Sequence, residues 1–434
     1  MSSARARPRT HPRVGPLAAH PHGSPALDVD ALLDDRETGI IVCCGAGGVG
    51  KTTTAAALAL RAAERGRRVV VLTIDPARRL AQSMGIEELD NTPRPVVGVS
   101  PQGTSSTDQP DDQPDEPGRL DAMMLDMKRT FDEVVEAQAS PEKAAQILAN
   151  PFYIALSSSF AGTQEYMAME KLGQLHRDAK QSGSHDLIVV DTPPSRSALD
   201  FLDAPERLSS FLDGRFIKLM LAPARGPARL LSAGFSLVTG ALTKVIGGQM
   251  LADVQAFVAA LDTVFGGFRQ RAQQTYALLQ ARGTAFLVVA APEPDALREA
   301  AYFVERLAGD GMPLAGLIVN RAGTPPSESL SAEAALAAAE RLRAEDPDPA
   351  STDSASTDSA STDSDSGEDG HADLTAGLLR LHADRARLVS REQQLRDRFS
   401  AAHPGVATVV VPALAGDVHD LTGLRRIGAL LARE

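Results

Sequence analysis

Cysteine is nearly absent from this 434-residue chain: the only two, Cys43 and Cys44, are adjacent within an apolar run. Two neighbouring thiols build neither a disulfide framework nor a tetrahedral zinc site within one chain, which points to a reducing compartment and a cytoplasmic protein. No apolar stretch is long enough for a membrane span, and the first 25 residues, rich in Arg, Pro and His, lack the apolar core of a signal peptide. They read as a disordered basic tail, with the folded part expected from about residue 36. Lysine is scarce, with seven residues against 37 Arg, and after Lys51 the next is Lys128.

A basic working surface is also missing. The net charge is −12, but nine acidic residues lie in 345–371 and five in 105–118, segments with no Lys or Arg. The remainder is close to neutral, so nucleic-acid binding has little support. These acidic residues sit in two polar stretches, about 99–118 and 346–370, the second repeating S-T-D-S-A. Neither holds enough apolar surface to offset the entropy of ordering, and both are expected to be disordered insertions rather than domain boundaries.

What remains alternates short apolar runs with helical stretches. Runs at Ile40–Cys44, Val69–Thr73, Leu187–Val190, Ala285–Ala290, Leu314–Val319 and Ala407–Val411 read as strands buried on both faces. The expected fold class is α/β, a mostly parallel sheet flanked by helices. Stretches at about 127–181 and 205–283 are too long for simple crossovers and predict a helical subdomain over one edge of the sheet. Met123, Met124, Met127, Met167, Met169, Met220 and Met250 fall in or beside them.

The first strand runs into Gly45-Ala46-Gly47-Gly48-Val49-Gly50-Lys51-Thr52-Thr53 and then an alanine-rich helix. Strand, G-x-x-x-x-G-K-T and helix form a phosphate-binding loop, in which glycines let backbone amides close around phosphate oxygens. Lys51 would reach the β- and γ-phosphates of ATP, and Thr52 would ligate Mg²⁺. Two carboxylates follow strands whose carboxyl ends face such a ligand. Asp75 is the candidate for positioning the attacking water beside the metal, and Asp191 for holding Mg²⁺ through water. Each Asp could instead cap a helix.

Together with the loop, T-x-D-P-A at Thr73–Ala77 and D-T-x-P at Asp191–Pro194 resemble the ArsA family of anion-pump ATPases and its tail-anchored-protein-targeting relatives. The similarity continues in Leu120–Asp126, Ala291–Glu293, Ile318–Arg321 and Val411–Leu414. The resemblance implies a P-loop ATPase with Asp75 in switch I and Asp191 opening switch II, followed by Thr192–Ser197. It further implies adenine recognition by Asn320, with Arg321 beside it, a base-covering loop at Pro412–Leu414, and Glu293 reaching a nucleotide across a dimer. Read from the residues alone, Asn320 could equally be a strand-end turn.

The departures from that family are as specific. Its second loop position is a lysine that reaches the partner's nucleotide, and here it is Ala46. Either another cation, such as Arg78 or Arg79, serves in its place, or the chain works as a heterodimer with a lysine-bearing paralogue rather than as a homodimer. The thiolates for arsenite regulation and the C-x-x-C pair that closes the relatives' dimers are absent, so no zinc is expected and arsenite efflux is disfavoured. The resemblance implies a Met-rich groove for a hydrophobic client or membrane-protein partner, with peripheral membrane association through it; ordinary packing explains the same Met and Leu residues. A positioning ATPase of the MinD or ParA type, with an amphipathic C-terminal membrane helix, fits less well, because 421–434 reads as a final packing helix.

Overall fold

The computed structural model describes residues 24–74, 79–86, 89–99, 118–151, 153–154, 157, 163–193, 267–327, 329–345 and 368–432. Eight strands form one sheet: β1 (Ile40–Gly45), β2 (Arg68–Thr73), β3 (Arg94–Pro95), β4 (Arg119–Met124), β5 (Leu187–Asp191), β6 (Thr284–Ala290), β7 (Leu314–Ala322) and β8 (Thr408–Pro412). Their order is β3-β4-β2-β5-β1-β6-β7-β8, and only the β3–β4 pairing is antiparallel. All six expected strands are present. Beyond them are β3 and β4; β4 lacks β-branched residues and carries Asp121, which hid it from a hydrophobicity reading.

Side chains alternate between the two sheet faces, and each face has its own core. Ile40, Val42, Val70, Leu72, Ile188, Val190 and Val288 form one. It is covered by α4 (Met127–Gln138), α5 (Pro141–Leu148), α6 (Thr163–Ser182), α7 (Phe268–Leu279) and α8 (Pro294–Gly309). Ile41, Cys43, Val69, Val71, Val189, Leu287 and Ile318 form the other, under α1 (Val29–Asp34), α2 (Lys51–Glu64), α3 (Arg79–Ser83) and α11 (Leu421–Leu431). Buried parallel strands under helices on both faces explain why these runs are apolar without alternation in the sequence.

Three expectations about organisation change. The folded body begins before residue 36: Asp28 caps α1 by accepting from Ala31 N, Val29 and Leu33 are buried, and Ala26 bridges Thr408 at the β8 edge. The helices α4–α7 lie on a face of the sheet rather than over its edge, because Met167, Met169 and Leu172 pack with Ile188 and Val190. Helix α10 (Glu368–Ala402) starts inside the expected insertion at 346–370 and pairs with α9 (Ala332–Glu345). The tail at 1–23, the insertion residues 100–117 and 346–367, and the helical stretch at 205–266 lie outside the described residues.

Arg67 ties the amino-terminal helix to the sheet. It is 1% exposed, its Nε donates to Asp186 Oδ1 at 2.8 Å, and its remaining nitrogens donate to the carbonyls of Leu33, Asp35, Thr38 and Asp186. A buried guanidinium with a carboxylate and four carbonyl partners has its desolvation offset by hydrogen bonds. The final helix packs its Leu424, Ile427 and Leu431 onto the face that α2 covers, with Arg425 Nε donating to Glu64 Oε1 at 2.7 Å. No helix among the described residues is long and apolar enough to cross a membrane.

Candidate nucleotide site

The strand order places β1 between β5 and β6, so the carboxyl end of β1 opens at the point where the connections reverse direction. That is where an open α/β sheet leaves a crevice for a ligand. The loop from Gly45 to Gly50 crosses this point and delivers the N-terminus of α2 to it. Gly45, Gly48 and Gly50 take φ of 147°, 77° and 92°, conformations that side chains disfavour. Two also allow close approach: a Cβ on Gly45 would sit 2.0 Å from Val289 O, and one on Gly50 would sit 2.3 Å from Asn320 Nδ2.

The loop is held from several directions. Lys51 is 6% exposed, and its Nζ donates to Ala46 O at 2.7 Å. Ala46 and Val49 are buried in the core under α2. From β7, Asn320 Nδ2 donates to Val49 O at 2.8 Å and Arg321 Nη1 donates to Gly48 O at 3.0 Å. Arg321 has φ of 60°, alone among the described non-glycine residues in being positive. Such a conformation in a bulky side chain persists only where its surroundings hold it, and here the contact to the loop does so.

Asp191 ends β5 directly beside β1, in register with Cys43 on one side and Thr73 on the other. It is 0% exposed and its Oδ2 accepts from Thr73 Oγ1 at 2.9 Å. Thr192 follows, donating its hydroxyl to Cys43 O at 2.9 Å. The Thr52 hydroxyl and the Asp191 carboxylate are hard oxygen donors that suit Mg²⁺. Burial is the main influence on both thiols beneath the loop. It raises Cys43 well above its ordinary range, with the Asp191 carboxylate adding to the shift, and pushes Cys44 up to about 12. Among the described residues no group of three or more His, Cys, Asp or Glu could hold a metal ion.

Beside the loop opens a cavity of about 420 Å³. Gly50 and Thr53 form its floor at the start of α2, Asn320 and Arg321 one wall, and Pro412, Ala413 and Leu414 another. Asp417, Val418 and Ile427 also line it. Of the sequence candidates, Asn320, Arg321, Pro412 and Leu414 are thus brought together at the loop. Glu293 is not: it is exposed at the N-terminus of α8 and does not line the cavity. Asp75 and Arg78 lie outside the described residues, as does the Arg79 side chain. Asp417 was missed because nothing in its local sequence signals a ligand; only the path of the loop after β8 brings it to the cavity.

A glycine loop running from a parallel strand into a helix N-terminus, with a buried aspartate ending the neighbouring strand, defines a P-loop nucleoside triphosphatase. The model of the anion-transporting ATPases matches residues 38–335, more than half of the sequence, and the chain belongs to this ArsA-type ATPase family. Similar proteins include ATPase get3 of Neurospora crassa, 26% identical over 304 residues, covering 69% of this chain and 77% of the relative. ATPase GET3 of Malassezia globosa is 29% identical over 181 residues, covering 42% of this chain, which spans only 46% of that relative. An arsenical pump-driving ATPase of Escherichia coli is 28% identical over 171 residues, 39% of this chain and 26% of the relative.

Proposed function

We propose that this ATPase works as a dimeric, Mg²⁺-dependent switch in the cytoplasm, coupling the γ-phosphate state to a helical surface that takes a hydrophobic client or membrane-protein partner. The observation that carries this reading is the cavity shared by Gly50, Thr53, Asn320, Pro412 and Leu414, continuous with the phosphate loop. Its volume and mixed lining suit a nucleoside. With Nδ2 bound to Val49 O, the Asn320 side chain keeps Oδ1 as its acceptor, the group an adenine amine requires. Pro412 and Leu414 supply apolar walls for the ring.

The phosphates would lie along the loop amides at the start of α2, with Lys51 as the cation. Thr52 and Asp191 would hold Mg²⁺, which supplies charge neutralisation for the transferred phosphoryl group. Asp75 is assigned to orienting the attacking water. Glu293, exposed at the end of β6, is assigned to the partner's nucleotide. Arsenite efflux fits poorly, since both thiols are buried and held in their protonated form.

Ala46 favours a second form of the same reading. Its methyl group packs in the core, in the position where the family's resemblance leads one to expect a lysine reaching outward. A lysine-bearing paralogue would then supply the missing charge to a heterodimer. ATP turnover by the purified chain, alone and with such a paralogue, separates the two, with mass recorded with and without ATP and Lys51→Ala and Asp75→Asn as controls. Turnover by the chain alone, abolished by both substitutions, supports the homodimer; turnover only with the paralogue supports the heterodimer. Turnover unaffected by either substitution overturns the assignment of the site.

A further inference from the structure

Asn320 and Arg321 stand in a bulge of the sheet. Strand β7 pairs with β8 at Val319 and Val410 and again at Ala322 and Pro412, so two β7 residues lie against Val411 alone. A bulge breaks the ladder locally and re-aims the side chains it carries, and here it sends Asn320 to Val49 O and Arg321 to Gly48 O. The arrangement is strained, since Arg321 holds φ of 60°. Strain of this kind relaxes unless bonds on both sides of it prevent that. Ahead of the bulge the ladder fixes Val319. Behind it, Ala413 N donates to Ala322 O at 2.9 Å, and Gly323 N donates to Glu392 Oε2 at 2.7 Å.

Glu392 comes from α10, all of which lies past residue 335, where the match to the family ends. The helix presents Val389, Glu392, Leu395 and Phe399 at spacings of three, three and four, which place them on one face. Phe399 is buried in the same core as Val319, and Leu395 packs against that core. These contacts anchor the helix on the sheet beside the bulge, and the acid between them is aimed at the chain just after it. Gly323 makes the approach possible: a Cβ there would sit 2.8 Å from Val389 Cγ2 and 2.9 Å from Glu392 Oε2. A backbone N–H held by a carboxylate is a charge-assisted bond, stronger than the neutral pairs of the ladder that the bulge interrupts.

We propose that Glu392 is a positioning residue for the nucleotide: by holding Gly323 it keeps the bulge in the strained form that turns Asn320 toward the base and Arg321 toward the phosphate loop. The proposal rests on the nucleotide-site reading above and adds a residue from outside the cavity. In the full chain, Glu392→Ala is expected to weaken binding of a fluorescent ATP analogue about tenfold. It should also lower the preference for ATP over GTP in competition, because GTP carries an oxygen where adenine offers Asn320 Oδ1 an amine. Glu392→Gln keeps an oxygen acceptor for Gly323 N and should recover both properties. Gly323→Ala, which crowds Val389 and Glu392 from the other side of the contact, should reproduce the losses. In an Asn320→Ala background, Glu392→Ala should cost less than about twofold further, since its effect passes through Asn320.

Unchanged affinity and base preference in Glu392→Ala overturn the proposal while Asn320→Ala still weakens ATP binding, and the nucleotide-site reading then stands without it. Asn320→Ala with no effect on ATP binding overturns that reading and this inference with it. Full additivity of Glu392→Ala with Asn320→Ala overturns the proposed route through the bulge. A loss that Glu392→Gln does not recover overturns the bond to Gly323 as the cause and assigns the effect to the missing charge. Urea midpoints of the same variants show that each is folded and separate a general loss of stability, which leaves the preference for ATP over GTP unchanged, from a change confined to the site.

Discussion

The hydroxyl of Thr73, the last residue of β2, donates at 2.9 Å to the buried carboxylate of Asp191, the last residue of β5. This bond joins the strand that leads to Asp75 with the carboxylate proposed for the metal, at the level where both chains leave the sheet. It gives Asp191 a fixed orientation in a region with no exposure to water. A threonine at a strand end is ordinary in sequence. Its importance follows from the β2–β5 register, which sets Thr73 beside Asp191.

Thr73→Val keeps the shape and removes the donor. Loss of a hydrogen bond to a buried carboxylate is expected to cost about 1–3 kcal/mol of stability, read as a lower midpoint in urea. On the proposed role of Asp191, turnover should also fall by about tenfold, with the Mg²⁺ concentration for half-maximal activity raised. Thr73→Ser should recover both. A variant that is less stable yet unchanged in its Mg²⁺ response would confine the hydroxyl to a role in the fold.

Gly50 and Asn320 make a second pair that invites a test. At Gly50 a new Cβ meets both a φ of 92° and Asn320 Nδ2 at 2.3 Å, whereas at Gly48, with φ of 77°, it meets nothing within 4 Å. Gly48→Ala is therefore expected to cost only backbone strain, about 1–2 kcal/mol. Gly50→Ala must also push Asn320 off Val49 O and deform the cavity wall. Affinity for a fluorescent ATP analogue should fall at least about tenfold more in Gly50→Ala than in Gly48→Ala. In Gly50→Ala/Asn320→Ala the two losses should be less than additive, since the second substitution removes the clash. Simple additivity would mean that Asn320 and the loop act independently.

The phosphate loop and the strands around it were legible because they obey local rules: glycines where φ is positive, and β-branched runs where both sheet faces are buried. Helix α1 was hidden because six residues with two buried side chains give too short a period to read. Strand β4 was hidden by Asp121, a charge in the middle of a buried strand. That carboxylate is tolerated because His185 Nε2 lies 2.7 Å from it and Arg119 Nη2 2.6 Å. Burial pushes its pKa up, but these hydrogen bonds outweigh burial and hold it below the usual value. Its partner His185 lies 64 residues away in sequence, so no local reading finds the pair. The cavity follows the same division: Asn320 and Pro412 carry family motifs, whereas Asp417, Val418 and Ile427 reach it only through the path of the chain after β8.

The two cysteines provide a test that needs no nucleotide. Burial disfavours the thiolate of both, and for Cys43 the neighbouring Asp191 carboxylate disfavours it further. Each folded-state pKa thus lies above the value of about 8.5 expected once the chain unfolds. A raised pKa contributes stability that is fully present below the unfolded value and is lost as pH rises toward the folded one, here about 12 for Cys44. The unfolding free energy is therefore expected to decline from about pH 8.5 upward. Cys43→Ala/Cys44→Ala should flatten that decline while lowering stability at pH 7 through lost packing. At pH 7 the native protein should leave both thiols unreactive toward a disulfide reagent, with two equivalents appearing only in denaturant. Reaction of either thiol at the rate of an exposed cysteine would show that the β1 end of the sheet opens to solvent. It would also reopen the case for soft-metal chemistry beneath the phosphate loop.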